Sequence, residues 1–369
     1  MKILTINPGS TSTKVALFEN NSGVPEPVFQ KNVSHDAKDL AAYKTVSDQL
    51  PYRKEAILAA MRENRVALDY IDAVVGRGGG LFPMEGGTYG INAVMLEHAQ
   101  KGANGIQHPA QLGPQLAHAF AEECGAMAFV VNPPDVDEIQ DVARMTGLKG
   151  VYRMVHLHAL NLKETAIRHA ESMGRNYEDC NFVVCHIGGG ISVSAHQHGR
   201  MIDGYDIAGG EGPMTPTRSG SVSVANLLNY MQGKDPESVR SVSTKSGGFV
   251  SHLGTSDALE VIRRAESGDR YAAMVWESMI YQICKCIGSM AAVLGGQVDG
   301  ILLGGGMVHS EDLVKKIRQQ CEWIAPVTAY PGEFEMEAMA SGAIRVMTGR
   351  EKVKEYTGKP VWTGFDFAS

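Results

Sequence analysis

The residues best suited to chemistry are two arginines and a histidine that stand among glycines and other small residues. Arg77 lies in the stretch VVGRGGG and Arg218 in TPTRSGS. A guanidinium presented on such a bare loop can hold a carboxylate or phosphate through two parallel hydrogen bonds, although a solvated surface charge is the ordinary alternative. His186 stands just before three glycines in HIGGGISV, where its ring could reach a bound phosphate or could be a buried core histidine. The three residues together indicate anion chemistry.

Three short apolar runs end in glycine-rich turns of the kind that binds nucleotides. The first, KILTINPGSTSTK, offers backbone amides and hydroxyl groups beside Lys14, although it departs from the Walker A pattern and could be an ordinary hairpin turn. The glycines at 188–190 remove every Cβ between two strand-like runs, so that a ligand can approach the backbone closely. Those at 304–306 lead into a helix predicted to begin near Ser310. Three such turns in one chain predict a nucleotide site.

The signals for a metal are weaker. Three glutamates precede a helix near the C-terminus: Glu333, Glu335 and Glu337. Acids at this place usually complement the helix dipole, but one of them could hold the Mg²⁺ that a nucleotide requires. Two His-x-His pairs, at 156–158 and 196–198, have no cysteine or carboxylate at matching spacing, so zinc is not expected.

The elements that must position these residues alternate along the chain. Apolar runs that end in turn formers predict strands near 2–8, 73–76, 128–131, 182–187 and 300–305, and helix-like stretches occupy 52–64, 159–173 and 269–296. This alternation indicates an α/β architecture with helices on both faces of mixed sheets. Segments 2–18 and 182–203 share a strand, small-residue turn, strand pattern, which predicts two related halves that face each other across a cleft. We place the boundary near residue 150.

Composition limits the class of protein further. The chain has 369 residues, of which 44% are hydrophobic and 20% charged, as in globular proteins of one or two domains. The formal charge of −7 and the lack of a basic block argue against a nucleic-acid partner. No signal sequence or long apolar segment is evident, so we expect a cytoplasmic protein without a membrane partner. The six cysteines form no C-x-x-C pair; we expect them to be reduced, and most of them to be buried.

The ordered set of motifs INPGSTSTK, GRGGG, CHIGGGISV, GEGPMTPTRSG, LGTSD, LLGGGM and YPGEFEMEAMASGA resembles the butyrate kinases, from residue 1 to about residue 350. That family belongs with the acetate kinases in the superfamily of sugar kinases, Hsp70 and actin. The resemblance implies duplicated actin-like (ribonuclease H-like) domains around a nucleotide cleft. The first would comprise residues 1–150 and a C-terminal helical segment, about 338–369, and the second residues 151–337.

The resemblance also implies roles for individual residues. The catalytic candidates are Asn7, Lys14, Arg77, His158, His186 and Arg218. The phosphate and nucleotide contacts would come from Gly9, Ser10, Ser12, Gly188, Gly189, Gly190, Asp257, Gly304, Gly305 and Gly306. Mg²⁺ bound with ATP would contact Asn7 and Glu335, with Glu337 as the alternative to Glu335. Two departures from the acetate kinases stand out. Asn132 replaces their catalytic aspartate, for which Asp135 and Asp137 are candidate substitutes, and Ala258-Leu259 replaces an aromatic-Arg pair after Asp257.

The implied activity is direct in-line transfer of phosphate from ATP to butanoate or a branched short-chain acid, which yields ADP and an acyl phosphate. The acyl pocket would involve Gly78, Gly79, Leu157 and Pro213. Gly78, Gly79 and Leu157 replace larger residues of the acetate kinases, which predicts a roomier pocket, although the glycines could simply serve a tight turn. The alternatives are an acetate or propionate kinase, a sugar or polyol kinase, and a non-enzymatic, nucleotide-gated, actin-like protein. The family implies a homodimer or larger homo-oligomer.

Overall fold

The computed structural model describes residues 1–21, 24–103, 105 and 107–366. Its strands are β1 (Lys2–Pro8), β2 (Ser12–Asn20), β3 (Pro25–Ser34), β4 (Ala73–Gly76), β5 (Thr88–Gly90), β6 (Met127–Val131), β7 (Asn181–Ile187), β8 (Ile191–Gln197), β9 (Arg200–Asp203), β10 (Gly300–Gly305), β11 (Val327–Pro331) and β12 (Lys354–Glu355). Its helices are α1 (Ala37–Ala41), α2 (Leu50–Glu63), α3 (Ala93–Lys101), α4 (Leu112–Cys124), α5 (Asp141–Arg144), α6 (Ala159–Ser172), α7 (Val224–Met231), α8 (Pro236–Thr244), α9 (Gly248–Leu253), α10 (Ala258–Glu266), α11 (Arg270–Val293), α12 (Glu311–Cys321) and α13 (Glu335–Met347).

The chain divides into two compact units, of which unit 1 comprises Met1–Asp137 and Phe334–Ser369. In its described residues, the strands form a sheet in the order β12-β5-β6-β4-β1-β2-β3. Strand β1 runs antiparallel to β2 and parallel to β4. Apolar side chains of the sheet pack against α2 and α4, and Leu4, Val74, Ile57 and Phe120 are fully buried in this core. The central strand β1 therefore holds Asn7 at the end of a rigid sheet.

Unit 2 comprises Glu138–Glu333. Its sheet has the strand order β11-β10-β7-β8-β9, with β7 antiparallel to β8 and parallel to β10. The long helix α11 buries Met279, Ile283 and Ile287 in the main core of this unit. The order β4-β1-β2-β3 in unit 1 matches the order β10-β7-β8-β9 in unit 2, and each has one parallel and two antiparallel pairings. The predicted duplication of hairpins is confirmed at the level of topology.

The sequence places the domain boundaries near residues 150 and 338, whereas the compact units divide after Asp137 and after Glu333. Glu138 belongs with unit 2 because its carboxylate lies 2.8 Å from the Lys163 ammonium and accepts a hydrogen bond from the Met201 amide. Of the predicted C-terminal segment, residues 367–369 lie outside the described residues. In the part of the chain that is described, no helix has both the length and the apolar character needed to cross a membrane.

Candidate active site

A first polar cluster in unit 1 joins the ends of β1 and β4 to the start of α13. Glu335 opens this helix, and its Oε2 accepts a hydrogen bond of 2.8 Å from Asn7 Nδ2. Its Oε1 lies 3.7 Å from Arg77 Nε. Asn7 is paired with Lys14 across the β1–β2 ladder, so both side chains leave the same face of the hairpin. Four of the predicted catalytic or metal residues are therefore neighbours within this unit.

Close packing between β4 and α4 fixes the backbone of Arg77. A Cβ built on Gly113 in α4 would lie 1.8 Å from the Arg77 carbonyl oxygen, so only glycine permits this approach. Arg77 is 9% exposed, and its Nη1 is buried without a hydrogen-bond partner among the described residues. His108 lies near Arg77. Burial, and to a smaller extent the charge of Arg77, lower the pKa of this histidine. His108 was not recognised from the sequence.

The Asn7–Glu335 pair is suited to Mg²⁺. This ion commonly takes one or two protein ligands and completes its shell with water and substrate phosphates. One carboxylate and one amide at the end of β1, beside the glycine turn of the β1–β2 hairpin, fit that donor set. Within the described residues, no group of three or more His, Cys, Asp or Glu side chains is arranged to hold a metal, which is the arrangement a protein-enclosed zinc site would need.

A second polar cluster lies in unit 2 around the glycine turn between β7 and β8. The rings of His158 and His186 stack with centroids 4.2 Å apart and an interplanar angle of 29°. A Cβ built on Gly190 would lie 2.6 Å from Arg218 Nη1 and 3.1 Å from His158 Cε1. The structure thus brings together three predicted catalytic residues, and it explains Gly190 by their crowding against the turn.

Arg218 is held by a tight turn of the TPTRSG segment. Thr215, which is 1% exposed, accepts a hydrogen bond from the Arg218 amide through Oγ1 and donates one from the same hydroxyl to the Gly189 carbonyl. The Nε and Nη1 of Arg218 are buried without partners in the described part of the chain. Burial lowers the pKa of this guanidinium, partly offset by the charge of Asp206. A half-buried cation with two buried, unused donors favours an anionic ligand.

Ser192, at the start of β8, orients His158 and was missed by sequence reasoning. Its Oγ accepts a hydrogen bond from the His158 amide at 3.2 Å and lies 2.8 Å from His158 Nδ1. We assign the hydroxyl hydrogen of Ser192 to the Nδ1 bond, an arrangement in which the hydroxyl donates once and accepts once, and which places the ring proton on Nε2. Ser192 is fully buried, so the pairing is shielded from water. The only sequence signal was a hydroxyl residue beside the triple glycine.

The remaining predicted nucleotide residues are distributed over both units. Gly9 belongs to the β1–β2 turn, where its amide donates to the Ser12 carbonyl at 2.7 Å. Gly305 has φ of +102° and a Cβ position 2.5 Å from the Ile187 carbonyl, so glycine is required there. In the described part of the chain, no atom beyond the adjoining residues lies within 4 Å of a Cβ built on Gly189 or Gly306. Asp257 caps α10 by accepting from the Leu259 amide, and its nucleotide role stays a prediction.

The packing contradicts the volume argument for the acyl pocket. A Cβ built on Gly78 would lie 2.6 Å from Val130 Cγ1, and a Cβ built on Gly79 would lie 2.6 Å from Ala110 Cβ. Neighbouring side chains therefore already fill the space that a side chain at either glycine would take. These glycines therefore permit close packing of the backbone and do not leave a void. Leu157 is 3% exposed and fills space beside Gly204 in unit 2. Pocket roles for Leu157 and Pro213 stay predictions.

Asn132 has a structural explanation. Its φ of +39° is a conformation that asparagine tolerates better than most residues, and its Oδ1 accepts a hydrogen bond of 2.7 Å from the Gly87 amide. Asp135 Oδ1 accepts one from the Leu81 amide at 3.2 Å, and Asp137 is buried. Whether either aspartate substitutes for the family's catalytic aspartate stays a prediction.

Comparison with known structures defines the fold. Acetate kinase from Porphyromonas gingivalis superimposes with a TM-score of 0.73 at 20% identity, over 94% of this chain and 99% of that one. A propionate kinase from Francisella tularensis gives a TM-score of 0.67 at 18% identity, over 92% and 98% of the two chains. The predicted actin-like α/β fold of the acetate kinases is therefore confirmed.

Comparison of sequences gives the family. The profile of the Acetokinase family matches residues 149–324. A probable butyrate kinase from Clostridium botulinum is 43% identical over 359 residues, 96% of this chain and 99% of that one. Butyrate kinase 2 from Clostridium acetobutylicum is 43% identical over 358 residues, with the same coverage. The chain belongs to the acetokinase family, and these curated relatives are butyrate kinases, as the motifs predicted.

Proposed function

We propose that this chain is a carboxylate kinase that transfers the γ-phosphoryl group of ATP directly to butanoate or a branched short-chain acid. The products are ADP and an acyl phosphate. The near-complete coverage by relatives named butyrate kinases supports an acceptor of this size. The glycines at 78 and 79 no longer support it, because their neighbours fill the space. A homodimer or larger assembly remains the expected form in solution.

The observation that carries the proposal is the half-buried guanidinium of Arg218 beside the stacked histidines, since its buried Nε and Nη1 have no hydrogen-bond partner among the described residues. Buried donors without partners cost free energy until a ligand supplies acceptors. In phosphoryl transfer, negative charge spreads over the equatorial oxygens of the transferred group. Arg218, together with Nε2–H of His158 and the ring of His186, offers hydrogen-bond donors to such oxygens. The cluster therefore supports stabilisation of a phosphoryl transition state.

The acceptor needs little further help from the protein. A carboxylic acid has a pKa near ~4.5 and is ionised at neutral pH, so its attacking oxygen requires no general base. The main obstacle is the approach of one anion to another. The guanidinium of Arg77, with its buried Nη1, is suited to neutralise the approaching oxygens. A sugar kinase would instead need a base for a hydroxyl group, and Asn132 cannot act as one.

The remaining residues of unit 1 would bind and orient ATP. Glu335 and Asn7 are the groups that would hold Mg²⁺, because their side chains contact each other and Glu335 also lies beside Arg77. Glu337 stays the alternative to Glu335. Mg²⁺ bound with ATP would neutralise part of the negative charge of the phosphates. Lys14, which is exposed at the hairpin, adds a positive charge that can contact the γ-phosphate.

Trapping the product with hydroxylamine tests the proposal. Protein, Mg·ATP and a carboxylate are incubated with hydroxylamine, which converts an acyl phosphate to a hydroxamate. We expect hydroxamate with butyrate and isobutyrate, and kcat/KM for butyrate more than tenfold above that for acetate, since each buried methylene gains about 0.8 kcal/mol. Arg218→Ala should abolish most of the signal, whereas Arg240→Ala, at an exposed arginine of the same unit, should not. ATP consumption with a sugar but no hydroxamate with any acid would overturn the proposal.

A further inference from the structure

Arg53 in α2 is a fully buried arginine whose hydrogen bonds converge on the turn between β1 and β2. It is 0% exposed. Nη1 donates to the Gly9 carbonyl at 2.8 Å and to the Ser12 carbonyl at 3.2 Å, and Nη2 donates to the Ser10 carbonyl at 3.2 Å. Gln49 Oε1 accepts from both Nε and Nη2, at 3.0 and 2.9 Å, and so fixes the plane of the guanidinium.

His35 completes this support for the turn. Its amide donates to the Thr11 carbonyl at 2.8 Å, and its Nε2 lies 2.8 Å from Thr13 Oγ1, which also accepts from Arg53 Nη1. The carbonyl oxygens of residues 9–12 therefore all accept hydrogen bonds from groups of unit 1. In the described residues, the amides of Ser10 and Thr11 donate to no backbone carbonyl. Amides left in this way form a site that favours an anion.

The charge of Arg53 points to the same kind of ligand. Among the described residues, no carboxylate forms an ion pair with Arg53, and the acceptors around it are neutral. Burial lowers the pKa of this guanidinium, which agrees with a positive charge that its neutral neighbours balance only in part. A buried cation stabilised only by carbonyl and hydroxyl dipoles leaves a positive potential behind the turn. An anion bound at the amides of the turn would balance that potential.

We propose that Arg53 is a positioning residue. Its hydrogen bonds hold the carbonyls of the β1–β2 turn toward the interior, so that the amides of the turn can bind a polyphosphate. The identification of this ligand as ATP rests on the proposed function. Arg53 itself does not touch the nucleotide. It acts through the backbone of residues 9–12, so its effect concerns the phosphates of the nucleotide and leaves the contacts of the adenosine group unchanged.

Substitution of Arg53 by lysine tests this role. Lysine keeps the charge but lacks the planar fork, so it cannot satisfy three carbonyls and Gln49 together. We expect Arg53→Lys to weaken binding of Mg·ATP about tenfold in calorimetry while the dissociation constant of adenosine is unchanged. The matched control is Arg62→Lys at an exposed position of the same helix, which should change neither. Gln49→Met, which frees one side of the guanidinium, should act in the same direction and serves if Arg53→Lys does not fold.

Hydrogen exchange separates this inference from the proposed function. Sodium tripolyphosphate should slow exchange of the amides of Ser10 and Thr11 in the wild-type protein but not in Arg53→Lys. That result would support the inference even if no hydroxamate formed with any acid. Unchanged Mg·ATP affinity in the lysine and methionine variants, or an equal loss of ATP and adenosine binding, would overturn the role of Arg53 and leave the proposed activity untouched.

Discussion

Replacement of Gly190 by alanine tests whether the crowding around the β7–β8 turn serves catalysis. The new Cβ would lie 2.6 Å from Arg218 Nη1, and ordinary contact begins near 3.4 Å, so the guanidinium must move by about 0.8 Å. The end of an arginine side chain can move without unfolding the protein. Because a misplacement of about 1 Å can reduce a rate about a hundredfold, we expect kcat to fall by roughly that factor. The thermal unfolding midpoint should change little.

The comparison variant is Gly189→Ala, which adds the same methyl group to the same turn but, beyond its chain neighbours, meets no atom of the described residues within 4 Å. Hydroxamate formation with butyrate gives kcat for both variants, and circular dichroism gives their stability. We expect the loss at Gly190 to exceed the loss at Gly189 by at least about tenfold. Equal losses, or a Gly190→Ala enzyme with wild-type kcat, would refute the assignment of Arg218 and His158 to the reacting centre.

Three further predictions follow from the geometry. Arg77→Ala and Arg218→Ala should each lower kcat about a hundredfold, or ~3 kcal/mol, with the fold intact, and near wild-type turnover would remove that arginine from the site. Gly79→Val should overpack against Ala110, cost about 1–3 kcal/mol of stability in urea unfolding, and reduce activity on all acids alike; a shift in selectivity with stability retained would contradict this packing. Burial, with a smaller contribution from Lys163, lowers the pKa of His196 to about 3. The unfolded chain therefore takes up a proton first as the pH falls below about 6.5, and stability is lost between there and about pH 3. Between pH 7.5 and pH 5.5, this residue should lower the free energy of unfolding by about 1.4 kcal/mol, and His196→Asn should lack this loss. The same pH dependence of stability in both proteins would contradict the lowered pKa.

The elements that the sequence predicted best are those with a strong local pattern. The runs that became β1, β4, β6, β7 and β10 are apolar and end in turn formers, so burial and the turn both follow from neighbouring residues. Helix α2 begins with Pro51 in its first turn, and α11 follows the long apolar stretch, as predicted. The clustering of Asn7, Glu335 and Arg77 came from the resemblance, because no local pattern joins residues so far apart in the chain.

Other features could not be read from the sequence because they depend on contacts between distant segments. Arg53 occupies the buried stripe of α2 with Ile57, Ala60 and Met61. Its place in an otherwise apolar stripe is the one feature of the sequence that indicates a buried role for this arginine. Ser192 gains its role only where β8 meets His158. The sequence predicts empty volume at Gly79. Whether a missing side chain leaves a void there depends on Ala110, which lies in a different part of the chain and packs against this glycine.

The central claim is that a carboxylate oxygen accepts the phosphoryl group directly, and isotope-resolved phosphorus NMR tests it most directly. Butyrate labelled with ¹⁸O in its carboxylate is incubated with the protein and Mg·ATP. We expect an acyl phosphate signal with the upfield shift of a phosphorus bonded to ¹⁸O, since the labelled oxygen becomes the bridge to the phosphoryl group. Formation of ADP and inorganic phosphate without an acyl phosphate, or an acyl phosphate whose phosphorus signal is unshifted, would contradict the account.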